Sequence, residues 1–290
     1  MKNLLTDTPA ALQLQVQAFK RVFITLVGCG GTGSHIASGL CSIAGALDAR
    51  GIKTDIYLVD PDIVEAKNAG RQLFSPGDIG YPKAQVLANR LAAAFGVRIG
   101  GAVRAIDTLD TFTGGESQRD NWQAALSLNI VVGAVDNPAA RSLIAQAVAR
   151  AKGRLWWLDA GNENHSGQVA LGNIAVPADL KGVVELGMID RLPAPTLVYP
   201  DLVKTPKKIK APKRSCAELT AAGDQGLMVN RMMAAWACAM LDAFLVRRDL
   251  HYFAVAADLA WGGVKSYPID APTIAAVAGL TVRQLYGGKA

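Results

Sequence analysis

The chain has 290 residues, of which 51% are hydrophobic and 19% are charged, and its formal net charge is +6. This hydrophobic content is enough for a sizeable core and excludes a mainly disordered chain. No C-x-x-C pair occurs among Cys29, Cys41, Cys216 and Cys238, which excludes the zinc-knuckle pattern and a credible disulfide framework.

Membrane and export signals are weak in this sequence. No apolar run approaches the roughly 18 residues that a membrane span requires. The beginning of the chain, MKNLLTDTPAAL, lacks the apolar stretch of a secretory signal. We therefore expect a cytoplasmic protein with reduced thiols.

The first part of the chain alternates predicted strands with predicted helices. An apolar run at 22–28, VFITLVG, is typical of a strand buried on both faces. Further strands are predicted at 54–60, 97–106, 129–134, 154–160 and 166–173, and helices at 82–96 and 138–152. This alternation predicts an α/β fold, with a Rossmann-like, mostly parallel sheet flanked by helices. Ligands of such folds lie at the carboxyl ends of the strands.

The pattern weakens after about residue 175. A proline-punctuated region runs to 214, a long helix is predicted at about 224–248, and strand-like segments follow at 251–256 and 263–267. No sharp change of composition marks a second domain. We therefore expect 1–290 to form a single domain with extra C-terminal strands and a flexible crossover loop at about 200–215.

Positive charge is concentrated in one segment, KTPKKIKAPKR at 204–214, which has six basic residues and no acidic one. Such a charge run is typical of a solvated loop. It is also suited to guiding an acidic partner or nucleic acid. No aromatic residues are interleaved with the charges, so stacking on single-stranded nucleic acid has no support.

A glycine-rich segment, GCGGTG at 28–33, follows the first strand and opens the first helix. Glycines at Gly28, Gly30, Gly31 and Gly33 permit a tight turn and let the backbone approach a phosphate at the helix N-terminus. Asp60, at the end of the second strand, is placed to accept hydrogen bonds from ribose hydroxyls. At this point NAD, FAD and ATP fit equally.

Five further polar residues lie just beyond strand ends or at helix starts: Asn68, Arg71, Gln72, Lys83 and Asp136. Two cations that converge with a carboxylate are what a triphosphate with magnesium requires. A dinucleotide pyrophosphate held by a glycine turn needs less charge. The set therefore favours ATP.

The sequence resembles the ubiquitin-activating (E1-like) superfamily in its bacterial ThiF/MoeB branch. The matching motifs are GCGGTG at 28–33, D-x-D-x-V-E-x-x-N-x-x-R-Q at 60–72, G-x-P-K at 80–83, D-N-x-x-x-R at 136–141 and SCAEL at 215–219. The similarity spans roughly residues 15–248, with the motifs in the family's order. More loosely, the spelling of the second motif and the basic loop resemble ThiF-type proteins of plasmid-borne PRTRC-type cassettes.

The resemblance implies an enzyme that uses ATP and Mg²⁺ to adenylate the C-terminal glycine carboxylate of a small ubiquitin-like protein. By matching position, Asp60 would hold the ribose, Asn68, Arg71 and Lys83 would contact phosphates, and Asp136 would bind magnesium. Asp62, Gln72 and Asn137 fall within the same motifs and are expected to contact the nucleotide. A homodimer is implied, and no zinc is expected because the paired C-x-x-C motifs of many relatives are absent.

Cys216 matches a cysteine that the family implicates in sulfur transfer or covalent partner chemistry. The basic loop before it would favour the thiolate, whereas a cysteine leading into an apolar helix is often buried and inert. Cys29, Cys41 and Cys238 are expected to pack in the interior. The three histidines have no second ligand at metal spacing and are expected to be structural or exposed.

One departure from the family and two alternatives remain open. The segment before Lys20 has no arginine, although relatives often donate one to the partner's ATP; Lys2, Lys20 or Arg21 could replace it. A non-catalytic E1-like scaffold that binds nucleotide and a partner or nucleic acid is the first alternative. An NAD-dependent dehydrogenase is disfavoured, because nothing downstream resembles a hydride-transfer site.

Overall fold

A computed structural model describes residues 11–106, 126–204 and 228–288, and its main element is an eight-stranded mixed sheet with helices on both faces. The strands are β1 (Gln13–Leu14), β2 (Arg21–Val27), β3 (Lys53–Val59), β4 (Ile99–Ala102), β5 (Ser127–Gly133), β6 (Leu155–Asn162), β7 (Ser166–Gly172), β8 (Val184–Glu185), β9 (Met188–Ile189), β10 (Tyr252–Asp258) and β11 (Gly263–Pro268). The helices are α1 (Gly31–Asp48), α2 (Lys83–Phe95), α3 (Pro138–Ala151), α4 (Pro195–Val198), α5 (Val229–Asp242), α6 (Ala271–Ala278) and α7 (Val282–Leu285).

The large sheet has the order β11-β10-β7-β6-β5-β2-β3-β4. From β4 to β6 all neighbouring strands are parallel, and Ile24 of β2 lies between Ile56 of β3 and Ile130 of β5. The chain runs outward from β2 to β4 and then crosses to β5 on the other side of β2. The carboxyl ends of β2 and β5 therefore border the point where strand order reverses, which is where open α/β sheets bind ligands.

The other half of the sheet is antiparallel. β7 pairs with both β6 and β10, and β10 pairs with β11. β1, β8 and β9 form a separate small sheet, in which β1 runs parallel to β9.

Alternate residues of the parallel strands enter two hydrophobic clusters on opposite faces of the sheet. Ile130 and Val132 pack in the larger cluster with α1, α2 and α5, whereas Val131 packs in the smaller one with α3. This alternation follows from the two-residue period of a strand. Because both faces are covered, the parallel strands are apolar throughout, as the continuous apolar runs in the sequence predicted.

The α/β class and the order of the predicted elements are confirmed, but the short strands β1, β8 and β9 and the short helices α4 and α7 were not predicted, and three further differences are found. The strand predicted at 97–106 is shorter, since β4 ends at Ala102. The helix predicted at 224–248 begins by Val229 among the described residues and continues past Asp242 as a π-helical turn, Ala243–Arg247. Helix α6 was not predicted; its signal is Asp270, whose side chain accepts a hydrogen bond from the N–H of Thr273 at 2.7 Å. Most of the basic segment lies outside the described residues.

One helix in the described part of the chain, Val229–Arg247, is long and apolar enough to cross a membrane by length and composition, and half of it is buried inside the protein. The sequence pattern alone does not predict this segment, because its apolar run ends at Asp242. Met233, Ala237 and Met240 of this helix belong to the large hydrophobic cluster, and the helix contacts α1, β6 and β7. A helix packed in a core passes the same length and composition test, so the finding is weak evidence for a membrane.

Candidate functional site

A cleft of about 1030 Å³ opens at the carboxyl ends of the parallel strands. Its volume is sufficient for a nucleotide-sized ligand. The sequence-predicted residues that line it are Gly28, Gly30, Gly31, Asp60, Asp62, Asn68, Arg71, Gln72, Lys83, Asp136 and Asn137. The structure thus brings together residues that are more than a hundred positions apart, and among them are the two cations and the carboxylate proposed for a triphosphate.

Two glycines of the GCGGTG segment, Gly28 before α1 and Gly33 in its first turn, are required by the packing of the chain itself. A Cβ on Gly33 would lie 1.9 Å from the carbonyl oxygen of Gly28. Gly28 has a φ of +90°, and a Cβ there would lie 2.5 Å from the carbonyl oxygen of Ala134. Their roles in forming the tight turn and the close packing of the loop are therefore explained without a ligand.

Gly30 is different, because the described residues give no packing reason for a glycine there. A Cβ on Gly30 would have no heavy atom of the described residues within 4 Å, and its φ is −78° with a ψ of −145°, which lies outside the common helical and extended regions. Gly30 lines the cleft immediately before helix α1, where free N–H groups and the helix dipole favour an anion. The space beside Gly30 that a Cβ would occupy is therefore open to a ligand, as expected if a phosphate lies close to this backbone.

Asp60 is buried, and its carboxylate connects two backbone segments. Oδ2 accepts a hydrogen bond from the N–H of Cys29 at 2.6 Å, and Oδ1 accepts one from the N–H of Asp62 at 2.8 Å. Burial raises the pKa of Asp60, and these hydrogen bonds together with the Lys83 charge oppose the shift. Each carboxylate oxygen has a second lone pair, so the side chain retains acceptor capacity toward the cleft.

The segment after β3 folds into short turns that present polar side chains to the cleft. Asn68 is buried, and its Oδ1 accepts a hydrogen bond from the N–H of Glu65 at 2.8 Å. The backbone N–H groups of Arg71 and Gln72 both donate to the carbonyl oxygen of Asn68. The buried Oε1 of Gln72 has no hydrogen-bond partner among the described residues. An unsatisfied buried acceptor is costly, so this atom is suited to a donor from a ligand or water.

Lys83, the first residue of α2, is buried, with 9% of its side chain exposed. Its Nζ lies 2.8 Å from Oδ2 of Asp62. The ammonium group is therefore held at the cleft wall by a carboxylate that is itself in the predicted set.

Asp136 and Asn137 connect β5 to α3, and both are exposed to the cleft. The Oδ1 atom of Asn137 accepts a hydrogen bond from the N–H of Ala139 at 2.9 Å. Asn137 thus caps α3, which gives it a structural role that the sequence reading did not assign.

A buried ion pair at the cleft, whose arginine is among the lining residues, is not predicted by the sequence. Nε of Arg141 lies 3.1 Å from Oδ1 of Asp159, which is buried within β6, and Oδ2 of Asp159 has no partner among the described residues. Burial raises the pKa of Asp159, and the Arg141 charge opposes the shift. The D-N-x-x-x-R motif contains Arg141, but nothing in the sequence pairs it with a strand residue 18 positions later.

A cluster of amides and a hydroxyl joins α1, β6 and α5 at the opposite wall of the cleft. Oγ1 of Thr32 lies 3.0 Å from Oδ1 of both Asn162 and Asn230. One hydroxyl hydrogen serves only one of these two oxygens, so rotating one amide to present its nitrogen gives the better network. The cleft is also lined by Arg104, Glu163 and Gln168, which the sequence analysis does not predict, and by Lys204, the first residue of the basic segment 204–214.

Three cysteines lie in the described residues, and all are free. Cys29 and Cys41 are buried and Cys238 is partly buried; burial raises the pKa of Cys29 and brings the pKa of Cys41 and of Cys238 to about 11. Thiols with such pKa values are poor nucleophiles at neutral pH. Cys216 lies outside the described residues.

Within residues 11–106, 126–204 and 228–288 there is no group of three or more His, Cys, Asp or Glu side chains that could hold a metal ion. Asp136 is one of several carboxylates that line the cleft. It fits a magnesium ion that takes its other ligands from phosphates and water, which is the usual arrangement for this ion.

A family model described as the ThiF family matches residues 6–286. The chain belongs to the ThiF family. A search of curated protein sequences finds no match. The ThiF/MoeB resemblance of the motifs is thereby confirmed, together with the E1-like Rossmann-type fold.

Solved structures with the same fold include MccB of E. coli and PaaA. MccB with MccA-N7isoASN is 18% identical at a TM-score of 0.55, covering 85% of this chain and 64% of that chain. MccB with ATP is 16% identical at a TM-score of 0.54, covering 87% of this chain and 64% of that chain. PaaA is 16% identical at a TM-score of 0.56, covering 87% of this chain and 65% of that chain. The chain therefore spans just under two thirds of these proteins, and the likeness at these identities shows the fold alone.

Proposed function

We propose that the protein is an E1-like adenylyltransferase, which uses ATP to form an acyl-adenylate on the C-terminal carboxylate of a small ubiquitin-like protein and releases pyrophosphate. The observation that carries the proposal is the convergence of Arg71, Lys83 and Asp136 with the glycine loop in one cleft. MccB structures with ATP and with MccA supply a precedent on the same fold for a nucleotide and for a partner.

The reaction needs positioning and charge neutralisation more than acid–base chemistry. The attacking carboxylate is already ionised, so no general base is required. Its approach to the α-phosphate is opposed by negative charge, which the guanidinium of Arg71 and the ammonium of Lys83 reduce. The same two cations stabilise charge on the departing pyrophosphate.

Other residues of the cleft would orient the nucleotide. Asp60 would accept from ribose hydroxyls with its remaining lone pairs, and the N–H groups at the start of α1 beside Gly30 would face a phosphate. Asp136 would hold Mg²⁺, which supplies further charge neutralisation when bound. Asn68 and Gln72 would contribute neutral contacts from the segment that carries Arg71.

The first experiment is isothermal titration of the purified protein with MgATP and with NADH. The proposal expects saturable heat for MgATP, and at least about tenfold weaker binding for Arg71→Ala and Asp136→Ala, since each removes a charge-assisted contact. Glu185→Ala, on β8 and outside the cleft lining, is the control for loss of one charged surface side chain. Binding of NADH instead of MgATP would contradict the proposal.

The second experiment is ATP–pyrophosphate exchange with small ubiquitin-like proteins that end in glycine, starting with those encoded beside the gene. Exchange should require both the partner and Asp136. Removal of the partner's last glycine should abolish exchange while leaving MgATP binding intact.

A non-catalytic scaffold is the competing function, and the same measurements separate the two. A scaffold would bind a partner protein without dependence on MgATP and would show no exchange with any of these partners. A covalent step at Cys216 is tested separately, by mass spectrometry of a Cys216→Ser variant and the unmodified chain after exchange. A thioester adduct on the unmodified chain alone, formed when the Cys216 thiolate attacks the acyl-adenylate and AMP leaves, would support that step.

A further inference from the structure

Asp62 lies in the D-x-D motif, and its position suggested contact with the nucleotide. In the structure its carboxylate is directed at Lys83 instead, with 2.8 Å between Oδ2 and Nζ. The backbone reinforces this contact, because the N–H of Lys83 donates to the carbonyl oxygen of Asp62 at 2.9 Å. Two adjacent residues, Ile63 and Pro82, form an antiparallel bridge.

The two side chains of the pair differ in exposure. Lys83 has 9% of its side chain exposed, whereas Asp62 has 64%. A buried ammonium group loses hydration and requires a partner charge. A lysine side chain also has four rotatable bonds, so without a partner its charge is poorly localised. The carboxylate of Asp62 offsets the loss of hydration of the Lys83 ammonium group. It also restricts the conformations that the Lys83 side chain can adopt.

Asp62 is itself held in place by the glycine-loop side of the cleft. Its N–H donates to Asp60, whose other carboxylate oxygen accepts from the N–H of Cys29. A continuous set of short contacts therefore runs from the loop before α1, through Asp60 and Asp62, to Lys83 at the start of α2. This arrangement fixes the distance between the loop before α1 and the start of α2, the two elements proposed to face the phosphates.

A direct contact between Asp62 and the phosphates would be unfavourable, because like charges repel at short range. A carboxylate paired with the buried cation avoids this repulsion. We propose that Asp62 is a positioning residue that holds the ammonium group of Lys83 at the cleft wall and does not contact the nucleotide. The functional part of this inference depends on the proposed nucleotide site.

The test is a double-mutant cycle on nucleotide affinity, with Asp62→Asn, Lys83→Met and the double variant titrated with MgATP and with AMP. For Asp62→Asn we expect about fivefold to tenfold weaker MgATP binding and an AMP affinity within about twofold of wild type, because Lys83 faces the outer phosphates. In the Lys83→Met background, Asp62→Asn should weaken MgATP binding by less than about twofold. Asp62→Glu should restore most of the affinity, since it keeps the charge.

Two outcomes would overturn the inference. Equal weakening of AMP and MgATP that persists in the Lys83→Met background would make Asp62 a ligand of the nucleoside. Unchanged MgATP affinity in Asp62→Asn would show that the pair does not position Lys83 for binding. Asp190→Asn, an exposed site outside the cleft lining, controls for loss of one surface carboxylate.

Chemical labelling separates a failure of this inference from a failure of the proposed function. Sulfo-NHS-acetate should acetylate Lys83 at least about twofold faster in Asp62→Asn than in wild type, since the amine loses its partner. Acetylation of the exposed Lys53 should be unchanged. If wild type binds no MgATP, the proposed function fails while the labelling still decides whether Asp62 holds Lys83. Equal labelling in both proteins would overturn the inference.

Discussion

The two halves of the eight-stranded sheet use their strand ends in different ways. In the parallel half, β2, β3 and β5 end at the same edge and are followed by Gly28, Asp60 and the segment that contains Asp136. In the antiparallel half, successive strands end at opposite edges, and the β10–β11 hairpin presents Trp261 with 89% of its surface exposed.

This difference shows why the site lies where it does. Parallel strands bring segments that are distant in the chain to one edge, so each contributes a polar group to a shared cleft. Antiparallel strands contribute to that edge only at every second connection, as Glu163 does between β6 and β7. The antiparallel half therefore extends the sheet and packs against helix α5, and it contributes fewer polar residues to the cleft than the parallel half does.

The largest expected effect concerns the buried ion pair between Arg141 of α3 and Asp159 of β6. Arg141→Met would leave the carboxylate of Asp159 buried without a partner, which costs about 3–5 kcal/mol of unfolding free energy. Arg98→Met is the matched control, because Arg98 is exposed and pairs with Asp55 at 3.0 Å, and such pairs contribute about 0.2–1 kcal/mol. Urea denaturation measures the unfolding free energy of both variants. Equal losses in Arg141→Met and Arg98→Met would contradict the distinction between the buried and the exposed pair.

The next effect tests whether Gly30 is reserved for a ligand. Gly30→Ala meets no described atom within 4 Å, so its cost is limited to the uncommon backbone ψ of −145°, and the unfolding free energy should fall by less than about 3 kcal/mol. It should weaken MgATP binding about tenfold or more if a phosphate lies against this backbone. Isothermal titration and thermal melts measure the two quantities.

Gly45→Ala is the control for Gly30→Ala. Gly45 is exposed on α1 and also has no heavy atom of the described residues within 4 Å. Alanine there should stabilise the helix by about 0.5–1 kcal/mol without changing nucleotide affinity. If Gly30→Ala bound MgATP as well as Gly45→Ala does, the phosphate position assigned here would be wrong.

The sequence was informative where a local pattern carries the structural signal. Continuous apolar runs identified the buried strands, and residues that follow those runs identified the members of the cleft. Parallel pairing then placed Arg71, Lys83 and Asp136 at one edge, as the structure shows. Their roles remain predictions.

What the sequence could not supply are the pairings between side chains. Asp62 and Lys83 are 21 positions apart, and Arg141 and Asp159 are 18 apart; no periodicity connects them. The motif also does not show that packing requires a glycine at position 33 and not at position 30, since both are glycines of the same GCGGTG segment. These distinctions depend on three-dimensional contacts.

A smaller effect is expected from His35 on α1. Burial, with a contribution from the Arg231 charge, lowers the pKa of His35 below its ordinary value. The unfolded chain therefore binds more protons than the folded one as pH falls from about 7 to about 5, so unfolding free energy decreases over that window. His35→Gln should remove this part of the pH dependence, measured by denaturation at several pH values. An unchanged slope would show that His35 does not contribute.

The smallest effect should come from the antiparallel edge. Trp261 lies in the turn between β10 and β11 and is almost fully exposed, so Trp261→Ser should change the unfolding free energy by less than about 0.5 kcal/mol. Its MgATP affinity should equal that of wild type, because the turn lies three strands from β5 and does not line the cleft. A large loss of stability that depends on protein concentration would show instead that this hairpin is buried between copies of the chain. The antiparallel half would then have a function of its own in assembly, which sedimentation velocity of the two proteins would measure directly.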